Sequence, residues 1–445
     1  MAVDLISCSI QNIRITLFQI AANRLVFWAF GDNNAFGLHR RGEPARLPNH
    51  KQFLQRLWQK ASDGFRLGKR TSARRPRRLT VLAVSLCVAL LALPGTVFSK
   101  VPRGVFCLLP SGKVGKARTF INPDVDGISI RQDWSELEPA QDVYDWGYLD
   151  MMVAKAAAGG KKVLLRIGTS GGDAALGGST PTWVFNAVKA EALPASQKFF
   201  TFRNGKSWTT IPVFWDKTYL AKKKAMITAL GAHFTGNPAV KIVSASFANA
   251  NSEDWGVPHT APEVTAWLNA GYTSDKLISA GKQIIDATMT AFPNQYVTLA
   301  VGGNGHAGAT GNLDPDDSYV ARNAVLNARA TWPGRLIVQK NTLAKFIPPA
   351  PGIGTLWELL WNSGPDVAGQ MVYWCYGDTT YRVNSGVAIA PSIALRKSID
   401  NGVAYGMKYI EIYHTDVLNL PTVVNYAHIA LALSQAGTAQ DVEDE

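Results

Sequence analysis

The sequence predicts an α/β fold, a closed (β/α)8 barrel of the TIM type that follows a basic leader and a hydrophobic export or anchor segment. Eight short apolar runs recur between residues 101 and 437, and helical patterns separate them. Strands that alternate with helices build a parallel sheet, and eight such units can close into a barrel. A doubly wound open sheet is the alternative. No apolar run is followed by a glycine-rich phosphate loop, and Gly302–Gly305 lacks the dinucleotide-binding spacing.

The predicted elements follow one another in regular order. The strands are Arg103–Leu108, Gly127–Gln132, Lys162–Ile167, Lys241–Phe247, Tyr296–Val301, Arg335–Gln339, Gln370–Trp374 and Lys408–Tyr413. The helices are Trp146–Ala158, Tyr219–Phe234, Pro262–Ala270, Ser274–Phe292, Tyr319–Thr331, Thr355–Trp361, Pro391–Tyr405 and Pro421–Ala436. Thr260 and Glu263 have the spacing of a capping box at the start of one helix. We therefore assign residues 101–437 to the barrel and 438–445 to an acidic tail.

The net charge of +12 belongs to the N-terminal part of the chain. Residues 1–100 contain 16 Lys and Arg against 4 Asp and Glu, whereas the remainder contains 29 of each sign. A nucleic-acid-binding domain keeps a basic face in its folded part. A neutral barrel domain without such a face argues against a nucleic-acid partner.

A hydrophobic segment follows the arginine cluster Arg74–Arg78. No charged residue occurs from Leu79 to Ser99. A basic stretch, an apolar run and a Pro-Gly break describe a secretory signal, whose true start would lie near the arginines. About 20 apolar residues also suffice for a membrane anchor that leaves the barrel outside the cytoplasm. We favour the signal, with residues 1–78 as a leader. Both alternatives predict an extracytoplasmic barrel, in contact with a membrane only through residues 79–98 if that segment stays uncleaved.

The cysteines and histidines indicate neither a metal nor a cofactor. The four cysteines, Cys8, Cys87, Cys107 and Cys375, form no CxxC pair. Cys107 and Cys375 are expected as buried free thiols, with a disulfide between them as the alternative. His306 and His414 lack a metal-ligand spacing. Asp314–Asp317 could hold calcium, but a turn that starts a helix is the favoured interpretation.

Polar and aromatic residues accumulate where the predicted strands end, which is where catalytic groups lie in this fold. Flat aromatic faces suit sugar rings, amides suit hydroxyl groups, and paired carboxylates suit cleavage of a glycosidic bond. The candidate substrate-binding residues are Arg131, Trp134, Asn249, Asn251, Trp255, Asn304, His306, Trp374 and Tyr376. The candidate catalytic carboxylates are Glu253, Glu411 and Asp378.

One stretch carries a resemblance to a known family. DWSELEPAQDVYDWGYLD, Asp133–Asp150, resembles the element W-x-x-(I/L)-E-P-x-x-x-x-Y-(D/N)-W-x-x-L-D of glycoside hydrolases with a clan A-type barrel, including the β-galactosidase-like group. KKVLLRIG, the later PTW and KIVSASFANANSEDW continue the resemblance, which covers Val101–Trp255 and extends to the C-terminal third only by strand order. It implies hydrolysis of a β-linked sugar, with Glu253 as the acid/base.

The sequence departs from that family in two places. Ser252 separates Asn251 from Glu253, where the family's acid/base follows an Asn directly. The family's nucleophile is a Glu that ends the seventh strand, and QMVYWCYGD contains none. Glu411, on a regular strand, is ranked slightly ahead of Asp378 for this role. The structural alternatives are a loop carboxylate for Glu253, a buried partner of Arg131 or Arg166 for Glu411, and a turn residue for Asp378.

These observations predict an exported glycoside hydrolase that cleaves O-glycosidic bonds of an oligo- or polysaccharide by a two-carboxylate mechanism. A carbohydrate-binding barrel that has lost its nucleophile is the alternative. A membrane-anchored scaffold is a third hypothesis.

Export is testable with a reporter that is active only outside the cytoplasm, fused behind Phe120. We expect an active reporter, because the uncharged segment follows an arginine cluster. A soluble product that starts near Lys100 would favour the signal over the anchor, and activity confined to the cytoplasm would contradict export.

Overall fold

The computed structural model describes residues 100–433 except 205–206, 248–252, 259, 304–312, 347–350, 378–382 and 385–386. All of them belong to Gly95–Glu445, the second of two units into which the chain divides. The predictions for the leader, for residues 79–99 and for the acidic tail concern residues outside the described part. Within that part, no helix combines the length and the apolarity that a membrane crossing requires.

Eight parallel strands close into a barrel, which confirms the predicted fold. The first strand lies between the eighth and the second, and the others follow in chain order. The barrel strands are Gly104–Leu108, Gly127–Asp133, Lys162–Gly168, Val240–Ser244, Tyr296–Ala300, Leu336–Leu343, Val367–Met371 and Tyr409–Tyr413. The helices are Ala117–Phe120, Trp134–Leu137, Gly147–Ala158, Thr182–Lys189, Ala195–Lys198, Lys217–Phe234, Ala261–Asn269, Ser274–Ala291, Tyr319–Thr331, Leu356–Trp361, Pro391–Ala404, His414–Asn419 and Pro421–Leu433.

The seventh barrel strand begins and ends three residues before its predicted position. It spans Val367–Met371 rather than Gln370–Trp374. The apolar run continues through Tyr373, so composition alone does not mark the end of the strand. The shift moves Gln370 from the first residue of the strand to the last but one and leaves Trp374 in the loop that follows.

An antiparallel hairpin between the third and fourth barrel strands was not predicted. It pairs Phe199–Asn204 with Ser207–Pro212. Its alternate residues Phe200, Phe202 and Ile211 are buried, so the hairpin covers part of the core. The predicted capping box is present at the helix Ala261–Asn269, where the Thr260 amide donates to the Glu263 carboxylate.

Apolar side chains fill two compartments. The larger lies between the strands and the surrounding helices, and the smaller closes the lower interior of the barrel. The second consists of Phe106, Leu164, Ile242, Tyr296, Ile337, Ala368 and Tyr409. Cys107 and Cys375 are buried free thiols, as favoured from the sequence.

A polar layer lies inside the barrel around a buried ion pair. Arg166 Nη2 lies 2.7 Å from Glu411 Oε2, and the two side chains are 1% and 0% exposed. Gln339 also donates to Glu411 Oε2, and Arg166 donates to Gln370 Oε1 at 3.2 Å. Tyr409 Oη donates to Gln339 Oε1 at 2.6 Å. The third, sixth, seventh and eighth strands are thus joined through the barrel interior.

Removing the cation of this pair should destabilise the barrel. Arg166→Met leaves the Glu411 carboxylate buried without its ion partner, and we expect a loss of about 3–5 kcal/mol in the free energy of unfolding. Chemical denaturation of the purified domain measures it. Adding Glu411→Gln removes the stranded charge and should recover part of the loss. A decrease below about 1 kcal/mol for the single variant would show that the pair is not a structural requirement.

Candidate active site

Glu253 lies at the mouth of the barrel, where the carboxyl ends of the strands meet. Its neighbour Asp254 joins the end of the fifth strand, because the Asp254 amide donates to Ala300 O at 2.8 Å. The Glu253 carboxylate reaches the sixth strand. There Lys340 Nζ lies 2.5 Å from Oε2, and the Asn341 amide donates to Oε1 at 2.8 Å. Glu253 is therefore held between two strands that lie next to each other in the barrel.

The Glu253 carboxylate is accessible without being a surface group. The Glu253 side chain is 14% exposed and that of Lys340 7%. Thr342 Oγ1 adds a third, longer contact of 3.4 Å. Because all three partners are donors, this carboxylate has a defined orientation, as a general acid or base requires. Its place at the mouth agrees with the position predicted for the acid/base, and that role stays a prediction.

Two exposed aromatic residues follow the seventh strand. Trp374 and Tyr376 are 44% and 46% exposed, and the Trp374 ring makes an edge contact with Tyr413 at a centroid distance of 5.8 Å. Asp416 shapes this loop, since its carboxylate accepts the Cys375 and Tyr376 amides at 2.8 and 2.7 Å. Burial raises the pKa of Asp416 to about 6, and the two amide hydrogen bonds oppose the shift. This loop, called the aromatic loop after Trp374 and Tyr376, offers flat aromatic surface at the mouth.

The end of the second strand contributes a cation and a carboxyl group. Arg131 is buried, and its Nε donates to Leu109 O at 2.6 Å. Burial and then the neighbouring Arg166 lower the pKa of Arg131 to about 10. Asp133 is half-buried, and burial followed by the charge of Glu136 raises its pKa to about 6, against the effect of Arg131.

The structure corrects the predictions for two tryptophans. Trp134 is fully buried, donates from Nε1 to Glu138 Oε2 at 2.7 Å and contacts Trp183 edge to face. Trp255 is also fully buried and lies 5.9 Å from Phe247 between ring centroids. Neither ring has a face free for a sugar. Trp134 begins the helix that directly follows the second strand, and Trp255 lies beyond the end of the fourth, but both rings are packed in the core.

Glu411 also differs from its predicted role as a nucleophile. It is fully buried in the polar layer and paired with Arg166, which is the structural alternative that the sequence left open. A carboxylate without exposure cannot approach a sugar carbon in this arrangement. The physical reason is that Glu411 occupies an inward-facing position in the middle of the eighth strand, below the mouth.

Several predicted site residues lie outside the described part of the chain: Asn249, Asn251, Asn304, His306 and Asp378. Their roles stay predictions. In the acidic run Asp314–Asp317, Asp314 accepts hydrogen bonds from Tyr272 Oη at 2.8 Å and from Ser274 Oγ. Asp316 pairs with Arg322 at 2.6 Å beside the start of the helix Tyr319–Thr331, in agreement with a helix-starting turn.

Sequence reasoning missed the partners of the site. The sequence patterns assign no role to Lys340 or Asp416. The available signal for Lys340 was the change from apolar to polar residues within the strand LIVQKNTL. Asp416 had no such signal, because its importance comes from two backbone amides in another loop.

The fold and its mouth define a (β/α)8 barrel protein with an oriented carboxylate and an exposed aromatic loop. Sequence comparison adds a family. The glycoside hydrolase 42 model, described as beta-galactosidase, matches residues 116–280. This match confirms the resemblance to β-galactosidase-like glycoside hydrolases. No curated protein matches the chain.

Solved structures similar to the chain include several carbohydrate-active enzymes. The β-amylase catalytic domain of Paenibacillus polymyxa has a TM-score of 0.49 and 11% identity, with coverage of 77% of this chain and 100% of that chain. The β-galactosidase of Marinomonas ef1 has 0.44 and 11%, with 70% and 53% covered. Xylanase 10B of Thermotoga maritima has 0.41 and 11%, with 69% and 82% covered. The chain spans about half the length of that β-galactosidase, and the barrel assignment rests on strand topology alone.

Proposed function

We propose that this protein is a glycoside hydrolase that cleaves O-glycosidic bonds in an oligo- or polysaccharide outside the cytoplasm. The observation that carries the proposal is the oriented Glu253 carboxylate at the barrel mouth. It is supported by the family match, since residues 116–280 include the ends of the second, third and fourth strands together with Glu253. The family description makes a β-galactoside the first substrate to test.

In the proposed reaction, Glu253 protonates the leaving oxygen and later activates water. Lys340 and the Asn341 amide hold the carboxylate in one orientation, which spares the enzyme the cost of ordering it during the reaction. Trp374 and Tyr376 offer faces on which the apolar side of a sugar ring can stack.

A two-carboxylate mechanism needs a second group at the mouth. Asp133 is half-buried, and its pKa of about 6 would keep it mostly ionised above neutral pH. Asp378 follows the aromatic loop and remains a candidate from the sequence. The separation from the Glu253 carboxyl decides between retention at about 5–5.5 Å and inversion at about 6.5–9.5 Å.

A carbohydrate-binding barrel without hydrolytic activity is the second candidate. One observation favours it: Gln370 lies near the end of the seventh strand, where the resemblance places a nucleophilic Glu. Gln370 accepts a hydrogen bond from Arg166 and thus belongs to the polar layer. In this case the aromatic loop would bind sugar and no bond would break.

Replacing the acid/base should separate these functions. Glu253→Gln keeps the shape and removes the ionisable group, so we expect kcat on an unactivated galactoside to fall about 10²–10⁴-fold. An aryl glycoside with a good leaving group should lose less in the first step, since it needs less protonation. Steady-state kinetics at several pH values measures both.

Glu358→Gln is the matched control, because Glu358 is another partly buried glutamate and its carboxylate accepts the Gly354 amide near a helix start. It should keep the native rate. Asp133→Asn and Asp378→Asn identify the second carboxyl by loss of activity. A Glu253→Gln enzyme with the native rate excludes Glu253. A native protein that binds sugar without hydrolysing any substrate would favour the binding barrel.

Sugar stacking on the aromatic loop has its own test. Trp374→Ala should weaken oligosaccharide binding by about 1–2 kcal/mol, because it removes an exposed ring face. Isothermal titration calorimetry measures binding, and the thermal midpoint should change little. Trp361→Ala is the control, since Trp361 is exposed to a similar 46% and packs on Tyr405. Equal binding by native protein and Trp374→Ala would remove Trp374 from the site.

A further inference from the structure

A fully buried lysine lies outside the proposed site. Lys223, in the helix Lys217–Phe234, is 1% exposed. Its Nζ donates to Ser246 O and lies 4.1 Å from the centroid of the Phe247 ring. Ser246 and Phe247 follow the fourth barrel strand. The ammonium group therefore contacts the beginning of the segment that leads to Glu253.

Asp254 returns to the same two residues from the other end of that segment. Its side chain is fully buried, and Oδ1 accepts the Phe247 amide at 2.6 Å and Ser246 Oγ at 3.3 Å. Ser246 and Phe247 on one side of residues 248–252 and Asp254 on the other thus meet at one carboxylate. Glu253 is the residue directly before that carboxylate.

The surroundings make it energetically costly to bury the charges of Lys223 and Asp254. Burial holds the pKa of Lys223 well below its ordinary value, and the charge of Asp254 opposes the shift. Every other side chain that lines the small cavity beside Lys223 is uncharged. Two buried charges contribute little net stability compared with apolar residues of the same volume. What the two groups supply is geometry, because Lys223 ties Ser246 to the helix Lys217–Phe234, and Asp254 ties Ser246 and Phe247 to the residue that follows Glu253.

On its other side, Asp254 is held by backbone contacts at the end of the fifth strand. The Asp254 amide donates to Ala300 O, and Asp254 forms a β-bridge with Val301. A Cβ atom at Gly302 would lie 2.3 Å from Asp254 O and 3.1 Å from Glu253 Cβ. Asp254 is consequently held from two directions, and Gly302 approaches both Asp254 O and Glu253 Cβ closely.

We propose that Lys223 and Asp254 are positioning residues that hold Glu253 against Lys340 and Asn341. The catalytic consequence rests on the proposed function, whereas the placement of Glu253 does not. Without the ammonium group, Ser246 O loses its contact with the helix, and the favourable charge of Lys223 no longer acts on Asp254. The anchorage of Asp254 at Ser246 and Phe247 should then loosen, and the Glu253 carboxylate should leave the Asn341 amide.

Hydrogen exchange at the sixth strand tests the placement independently of catalysis. The Asn341 amide is protected by Glu253 Oε1, so Lys223→Met should accelerate its exchange about tenfold in peptides that cover Leu336–Leu343. Lys198→Met is the matched control. Lys198 is also a buried lysine that donates to backbone carbonyls, those of Lys189 and Glu191, and it should leave this exchange unchanged.

A double variant separates an effect on the position of Glu253 from an effect on the stability of the fold. Lys223→Met with Asp254→Asn removes both buried charges, so the thermal midpoint should recover most of what the single variant loses, while Asn341 exchange stays fast. If the double variant also regains slow exchange, the pair acts on stability alone and the proposal is overturned. Unchanged Asn341 exchange in Lys223→Met overturns it directly.

Kinetics then tests the catalytic consequence. Lys223→Met should lower kcat about 10–10²-fold with KM nearly unchanged, because the aromatic loop that binds sugar is untouched. A native protein without hydrolytic activity that still shows the exchange pattern would reject the proposed function and retain the placement of Glu253. An active Lys223→Met enzyme with native kcat but fast Asn341 exchange would reject the catalytic role of the positioning.

Discussion

The ion pair between Arg166 and Glu411 is the constraint on which the interior of this barrel depends. A residue that points into a closed barrel is separated from water by the strands around it. A carboxylate in that position is stable only when a cation and hydrogen-bond donors meet it. Arg166 and Gln339 meet this need from strands that are not neighbours of the eighth. The pair therefore couples the strands across the interior at a level that is closed to solvent.

Above the buried ion pair, residues of the sixth strand hold the carboxylate at the mouth. Gln339 contacts the buried carboxylate, whereas Lys340 and the Asn341 amide contact Glu253. Gln339 also donates to Asn341 Oδ1 at 2.8 Å. One strand thus separates a carboxylate that stabilises the barrel from a carboxylate that faces the mouth. This separation explains how Glu411, in the middle of a strand, and Glu253, beyond a strand end, differ in what they can do.

The same arrangement limits which groups at the mouth can serve as a second catalytic carboxylate. Gln370 and Arg166 belong to the polar layer, so the seventh strand offers a structural amide where the related family has a nucleophile. Hydrolysis would then depend on a carboxyl group from a loop or from the end of the second strand. Asp133 is such a group on the second strand. Binding would depend mainly on the loop that Asp416 holds through two backbone amides. The two proposed functions share the binding surface and differ only in this second carboxyl group.

The sequence by itself determined the eight strands, the barrel and the position of Glu253 at its mouth, because alternating apolar runs and strand ends are local patterns. Tertiary structure decided which polar and aromatic residues face the mouth. Trp134 and Trp374 both occur near strand ends, but the first begins a short helix and is buried, whereas the second lies in a loop and is exposed. Lys223 stands in the run Lys222–Lys224 and is typical of a solvated helix face by composition. Only packing against the loop before Glu253 buries it, since that contact joins residues far apart in the chain.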